Sequence, residues 1–207
     1  MLRPASASAI RAASYGLERR ALRIELLDAL ARADALPPTA KARHRDLVGL
    51  VGHRLNVGGV GVSPIVADTT TGTYQPFPGG ALMALIVPVR EAPNDRSVPL
   101  LDLLAWLPRT GEIFTRLGNA DILGWQHVEP LPPDGPVRVH TTPGTWCRSG
   151  GDGVVVIDWR RCRSQLGHLS AVAVDADAMD LGRRLDAALK PPPGHRPEVL
   201  VNRGRAA

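Results

Sequence analysis

Between residues 154 and 189 the chain alternates twice between two hydrophobic periods, and that alternation constrains the fold more than any other feature. Residues 154–157 form a short apolar, β-branched run, which predicts a strand. A short helix is expected over 160–166, and a second apolar run at 171–174 predicts another strand. Over 176–189 the apolar residues Met179, Leu181, Leu185, Ala188 and Leu189 fall on one helical stripe. Strand–helix–strand–helix in about 36 residues argues for parallel strands joined by a right-handed crossover. Pro191, Pro192 and Pro193 end the last helix, and 199–201 adds a short strand. The fold class expected is therefore α/β, with a mixed sheet and a C-terminal βαβα unit.

The N-terminal quarter reads differently. Residues 1–14 show no apolar periodicity and read as a disordered basic end. From Leu17 onward, Leu22, Ile24, Leu26, Leu27 and Leu30 recur at helical spacing, which predicts a helix ending near Leu36. Pro37-Pro38 stop it, and Thr39 caps a second helix running to about Leu55. The organisation expected is a helical hairpin over 15–56, an α/β domain over 57–203 and a tail at 204–207. Six glycines and three prolines in 56–80 read as loop or short edge-strand material. Continuous apolar runs at 82–89 and 100–107 predict buried strands, and 112–117 a hairpin partner. Residues 119–123 are expected to form one helical turn capped by Asn119. The four prolines of 129–136 mark a linker, and Val137 and Val139 alternate as a short strand.

Composition bears on partners. The net charge is +5, and only Lys41 and Lys190 are lysines, so nearly all the positive charge is arginine. Clustered arginine suits phosphate, which makes nucleic acid a candidate partner. Arg43, Arg45 and Arg54 lie on the second expected helix, and Arg148, Arg160 and Arg161 stand near Trp125, Trp146 and Trp159. Those six are the candidate nucleic-acid contacts, with tryptophans stacking bases or, in their commoner use, closing the core. The two helices lack the third helix and glycine turn of a helix-turn-helix, so an ordinary hairpin is expected. Two cysteines make no disulfide scaffold, and no apolar run approaches the roughly 20 residues that span a bilayer. A cytoplasmic protein without a membrane segment is the expectation.

Chemistry is expected at the carboxyl ends of parallel strands. Asp158 follows the first strand of the C-terminal unit, while Asp175 follows the second, with Asp177 two residues on. Were those strands adjacent, Asp158 and Asp175 would stand about 5 Å apart, and with Asp177 would suit Mg²⁺. The alternative is that Asp175 or Asp177 caps the following helix. Gly150-Gly151-Asp152-Gly153 precedes a strand and reads as a tight turn. His140 and Cys147 share no nucleophile–base signature, and the six histidines lack zinc spacing.

The stretch 171–180, with Gly182 and Arg183 after it, resembles the aspartate pair of Toprim domains and the Asp-x-Asp motif of haloacid-dehalogenase-type phosphotransferases. The resemblance implies Mg²⁺-dependent phosphoryl transfer. A Toprim domain also carries a glutamate and glycine on an earlier strand, where this chain has Asp158-Trp159. The blocks 101–108, 116–124 and 145–159 resemble uncharacterised proteins of alphaproteobacteria found with prophages and plasmids, which implies a mobile-element context and no particular activity. Two functions follow as expectations. One is a non-catalytic accessory or interaction protein with no cofactor, contacting nucleic acid or another protein. The other is a Mg²⁺-dependent phosphoryl-transfer or nuclease-like enzyme built on Asp158, Asp175 and Asp177.

Overall fold

A computed structural model describes residues 7–41, 43, 59–90, 100–125, 135–190 and 198–202. The chain is a mixed α/β protein in which a long N-terminal helix and a five-stranded barrel pack against a C-terminal sheet. Helix α1, Ala7–Asp34, is rich in Ala, Leu and Arg, all good helix formers. It begins inside the segment expected to be disordered. It ends just before Pro37-Pro38, and a second helical segment starts at 38. The remainder of that expected second helix lies outside the described residues.

The barrel strands are β1 (Gly61–Asp68), β2 (Thr73–Pro76), β3 (Leu82–Arg90), β4 (Leu100–Trp106) and β5 (Ile113–Thr115), closed in the order β1-β2-β5-β4-β3. All contacts but one are antiparallel. The exception is a single parallel pair, Thr73 with Thr115, which closes the ring. The Gly- and Pro-rich stretch 56–80, expected as loop or short edge-strand material, carries two barrel strands. Its loop-like composition concealed the alternation of Ile65 and Ala67, which face the core, with exposed Val66 and Asp68. The runs expected as buried strands are β3 and β4, and the hairpin partner is β5. From Ala84 to Val89 and from Leu103 to Trp106 they are apolar because both faces are covered. Ala84, Ile86, Leu103 and Ala105 join Ile65, Tyr74 and Phe114 in a cluster completed by Leu22, Leu26 and Ala29 of α1. Leu85, Val87, Val89, Leu104 and Trp106 face the opposite way, toward the C-terminal part. Pro88 sits within β3, where β1 has stopped pairing, which is the setting in which a strand tolerates proline.

A buried polar network fixes α1 to the barrel. Glu25 Oε1 accepts from Tyr74 Oη at 2.8 Å, and Glu25 Oε2 accepts from Arg116 Nε at 2.9 Å. Asp102, fully buried in β4, accepts backbone N–H bonds from Leu103, Arg116, Leu117 and Asn119 at 2.8–3.0 Å. One carboxylate thereby shapes the turn after β5. Burial pushes its pKa up against the pull of those four donors.

The C-terminal part contains β6 (Ile122–Leu123), β7 (Val137–Arg138), α2 (Pro143–Arg148), β8 (Val155–Val156), α3 (Cys162–Leu166), β9 (Ala171–Asp175), α4 (Met179–Leu189) and β10 (Glu198–Asn202). Residues 119–123, expected as a helical turn, include β6. β10 pairs parallel to β9, β9 parallel to β7, and a parallel bridge between Val139 and Val154 joins β7 to the β8 segment; β6 is antiparallel to β8. Two sheets, β10-β9-β7 and β6-β8, are thus joined edge to edge by that one bridge, which gives the order β6-β8-β7-β9-β10. One sheet face carries Ile122, Val137, Val139, Val154, Val156, Val172 and Val174 against α3 and α4. The other face, through Leu123 and Val155, meets α2 and the barrel. At that seam Gly144 lies under the Trp106 ring, and a Cβ there would come within 2.4 Å of the indole.

Candidate functional site

The parallel strands and their crossovers exist, but β7 lies between β8 and β9. Asp158 and Asp175 therefore leave the same rim two strands apart, about 10 Å instead of about 5 Å. Each has an arginine partner. Arg160 grips Asp158 through Nε and Nη2 at 3.1 and 3.0 Å, and its backbone N–H adds a third bond. Those contacts, led by the Arg160 side chain, hold the Asp158 carboxyl below its usual range. Asp175 Oδ1 accepts from Arg138 Nη2 at 2.5 Å. Asp177 is exposed on the turn that follows. Neither Asp175 nor Asp177 caps α4, whose N-cap is Ala178 with no side-chain bond. Among the described residues no group of three or more His, Cys, Asp or Glu side chains is arranged to hold a metal ion.

The candidate nucleic-acid residues are scattered. Arg43 is exposed on the helical segment after α1, and Arg148 is exposed at the end of α2. Arg45 and Arg54 lie outside the described residues. Arg160 holds Asp158, and Arg161 holds Asp121 at 3.1 Å beside Gln165. Trp146 is fully buried, its Nε1 donating to Gly153 O, so it stacks on no ligand. Trp159 already carries the Arg184 guanidinium 3.8 Å above its ring. Trp106 is core, as expected.

What the fold does set is a topological switch point at the ends of β7 and β9. The helix after β7, α2, packs on the barrel face, whereas the helix after β9, α4, packs on the opposite face. Adjacent parallel strands whose connections leave to opposite faces open a crevice at their carboxyl ends, the usual ligand position in such sheets. Val137 and Val139 face the α3–α4 core, so Arg138 and His140 share the other face. His140 is 96 % buried, at 4 % exposure, and its backbone N–H donates to Val154 O at 2.8 Å. Its Nε2 lies 2.7 Å from Asp152 O and 3.3 Å from Ser149 Oγ. Ser149 Oγ has one proton, with Trp146 O at 2.7 Å and Asp152 O at 2.9 Å as its acceptors. Burial is the main cause that lowers the His140 pKa, so the ring is held neutral. Gly153 shapes this wall. Its φ is +78°, and a Cβ there would lie 2.4 Å from Arg138 O.

The sequence offers His140 only as a base beside Cys147, and the structure instead sets it beside Arg138. The signal was present in the period-two pattern of 137–140, which puts the two polar residues on one face. The fold is thus a mixed α/β sheet with a barrel docked on one side, and the candidate site is the switch point at its carboxyl rim. No family model matches the chain, and neither a curated protein nor a solved structure matches it.

Proposed function

We propose that this protein acts by binding, as a non-catalytic accessory protein whose contact with its ligand or partner is made at the carboxyl rim of the C-terminal sheet. The observation that carries this reading is the pairing of the rim carboxylates: Asp158 with Arg160, Asp121 with Arg161, and Asp175 with Arg138. Mg²⁺-dependent phosphoryl transfer needs carboxylate oxygens that converge on one point, unclaimed by guanidinium groups. The thiols support the same reading. Burial pushes Cys147 up to about 12 and Cys162 up to about 11, far from the thiolate range that nucleophilic catalysis uses.

The pairings bear on nucleic acid too. Arg160 and Arg161 each pair with a carboxylate, so neither stands as an unengaged guanidinium for a phosphate. Thermal unfolding with and without Mg²⁺ tests the reading on wild type and Asp175→Asn. We expect no Mg²⁺-dependent rise in Tm for either protein; a rise in wild type that the variant loses would overturn the reading. Titration with labelled single- and double-stranded DNA should give weak binding that vanishes as salt rises. Tight binding that resists salt would make nucleic acid the partner.

A further inference from the structure

Two nitrogens on one face of the extended segment 137–140 are enclosed without a hydrogen bond. Both His140 Nδ1 and Arg138 Nε are shielded from water and lack a hydrogen-bond partner. Leaving a buried donor or acceptor unmade costs about 1–3 kcal/mol, so such atoms are few in native proteins and call for a reason. Their residues are two apart on a strand, so their Cα atoms are about 6.6 Å apart on the same side.

Their polarities are complementary. Asp152 O, 2.7 Å from His140 Nε2, only accepts, so Nε2 carries the ring proton. In a ring kept neutral by burial, Nδ1 is then a bare acceptor, while Arg138 Nε–H is a donor. Asp175 completes the set, accepting from Arg138 Nη2 and acting electrostatically on His140. One crevice thus offers a donor, an acceptor and an anion, at the point where the sheet's connections diverge.

We propose that this crevice binds a small carboxylate that bears a hydrogen-bond donor on the adjacent carbon, an α-amino or α-hydroxy acid. The ligand carboxylate accepts from Arg138 Nε–H, and its ammonium or hydroxyl donates to His140 Nδ1. Asp175 favours the ammonium. A plain carboxylate leaves Nδ1 unanswered, and a plain amine leaves Arg138 unanswered. The ligand enters past the Arg138–Asp175 pair, the outermost layer, whose side chains are 38 % and 36 % exposed while the two nitrogens are enclosed. This inference rests on the reading of the protein as a binder.

The test is a titration of the full chain, labelled with ¹⁵N-histidine, using glycine, glycolate, acetate and methylamine in turn. Long-range ¹H–¹⁵N spectra follow the His140 ring nitrogens. Glycine and glycolate should move the Nδ1 signal saturably, and acetate and methylamine should do so only at concentrations about tenfold higher or more, for one missing bond. Arg138→Gln should weaken glycine about tenfold for the same reason. Should that variant fail to fold, Arg138→Lys keeps the charge, lacks the Nε–H, and should show the same loss. Asp175→Asn should weaken glycine more than glycolate. The proposal is overturned if none of the probes moves Nδ1, if acetate matches glycine, if the Arg138 variants bind as wild type does, or if one bridging water answers both nitrogens and no probe displaces it. Conversion of a bound probe to product would overturn the non-catalytic reading and leave the site standing.

Discussion

The buried carboxylates of the barrel part, Asp102 and Glu25, contrast with the buried nitrogens of Arg138 and His140 in the C-terminal sheet. Asp102 has every oxygen answered: Oδ1 accepts from Leu103, Arg116 and Leu117, and Oδ2 from Asn119. Glu25 is likewise bonded at both oxygens, to Tyr74 and Arg116. At the end of β7, by contrast, Arg138 Nε and His140 Nδ1 are enclosed and unanswered. The seam between the two parts has one such atom, Trp106 Nε1. Polar groups that serve the fold are saturated, because a buried unpaired group weakens it. Arg138 Nε and His140 Nδ1 differ from Trp106 Nε1 in their place, which is the switch point where strand topology favours a ligand.

That contrast can be broken by substitution, beginning with its strongest member. Asp102→Ala strips four N–H groups of their acceptor and should cost about 4 kcal/mol or more, read as a lower urea midpoint. A loss under about 1 kcal/mol would show that the network is dispensable. Gly144→Ala forces a methyl group against the Trp106 indole and should cost about 2 kcal/mol by overpacking, separating the seam from either part. Glu25→Gln weakens the link from α1 to Arg116, whose side chains are only 13 % and 23 % exposed, and should cost about 1 kcal/mol.

The sheet end of the comparison responds to pH. Burial holds the His140 pKa below its ordinary 6.5, so near that value the folded state binds fewer protons than the unfolded chain. The stability His140 contributes is full above about 6.5 and falls as pH drops toward the folded value. Arg138, Asp152 and Asp175 face this ring, the first opposing protonation and the two acids favouring it. His140→Asn should therefore show a flatter fall in stability below that pH, measured by urea unfolding across pH. The smallest effect belongs to the thiols. Cys147 and Cys162, buried and with raised pKa values, should be silent to a thiol reagent in the native protein and react fully on unfolding.

Much of the fold was legible in the sequence, and the misses have identifiable physical causes. The continuous apolar runs of β3 and β4 identify strands covered on both faces, and the alternation after 154 gives the parallel crossovers. The barrel was hidden because β1 and β2 lie in glycine- and proline-rich sequence, where turn composition masks the period of two. The start of α1 was hidden because Ala and Ser carry no apolar stripe, although alanine propagates a helix well. The proposed carboxylate pair depended on β8 and β9 being neighbours. Chain order does not give sheet order, and β7 is inserted between them by an earlier segment of the chain. The alternation of Val137 and Val139 was legible, and the sequence sets His140 only against Cys147; its grouping with Arg138 and Asp175 depends on β9 lying beside β7, which chain order does not give.

The most direct measurement is the protonation state of His140 in the free protein near neutral pH, read from long-range ¹H–¹⁵N NMR of its ring. The account predicts a neutral ring with the proton on Nε2 and a bare, unbonded Nδ1. An imidazolium, or a proton on Nδ1, would remove the acceptor on which the crevice depends and contradict it.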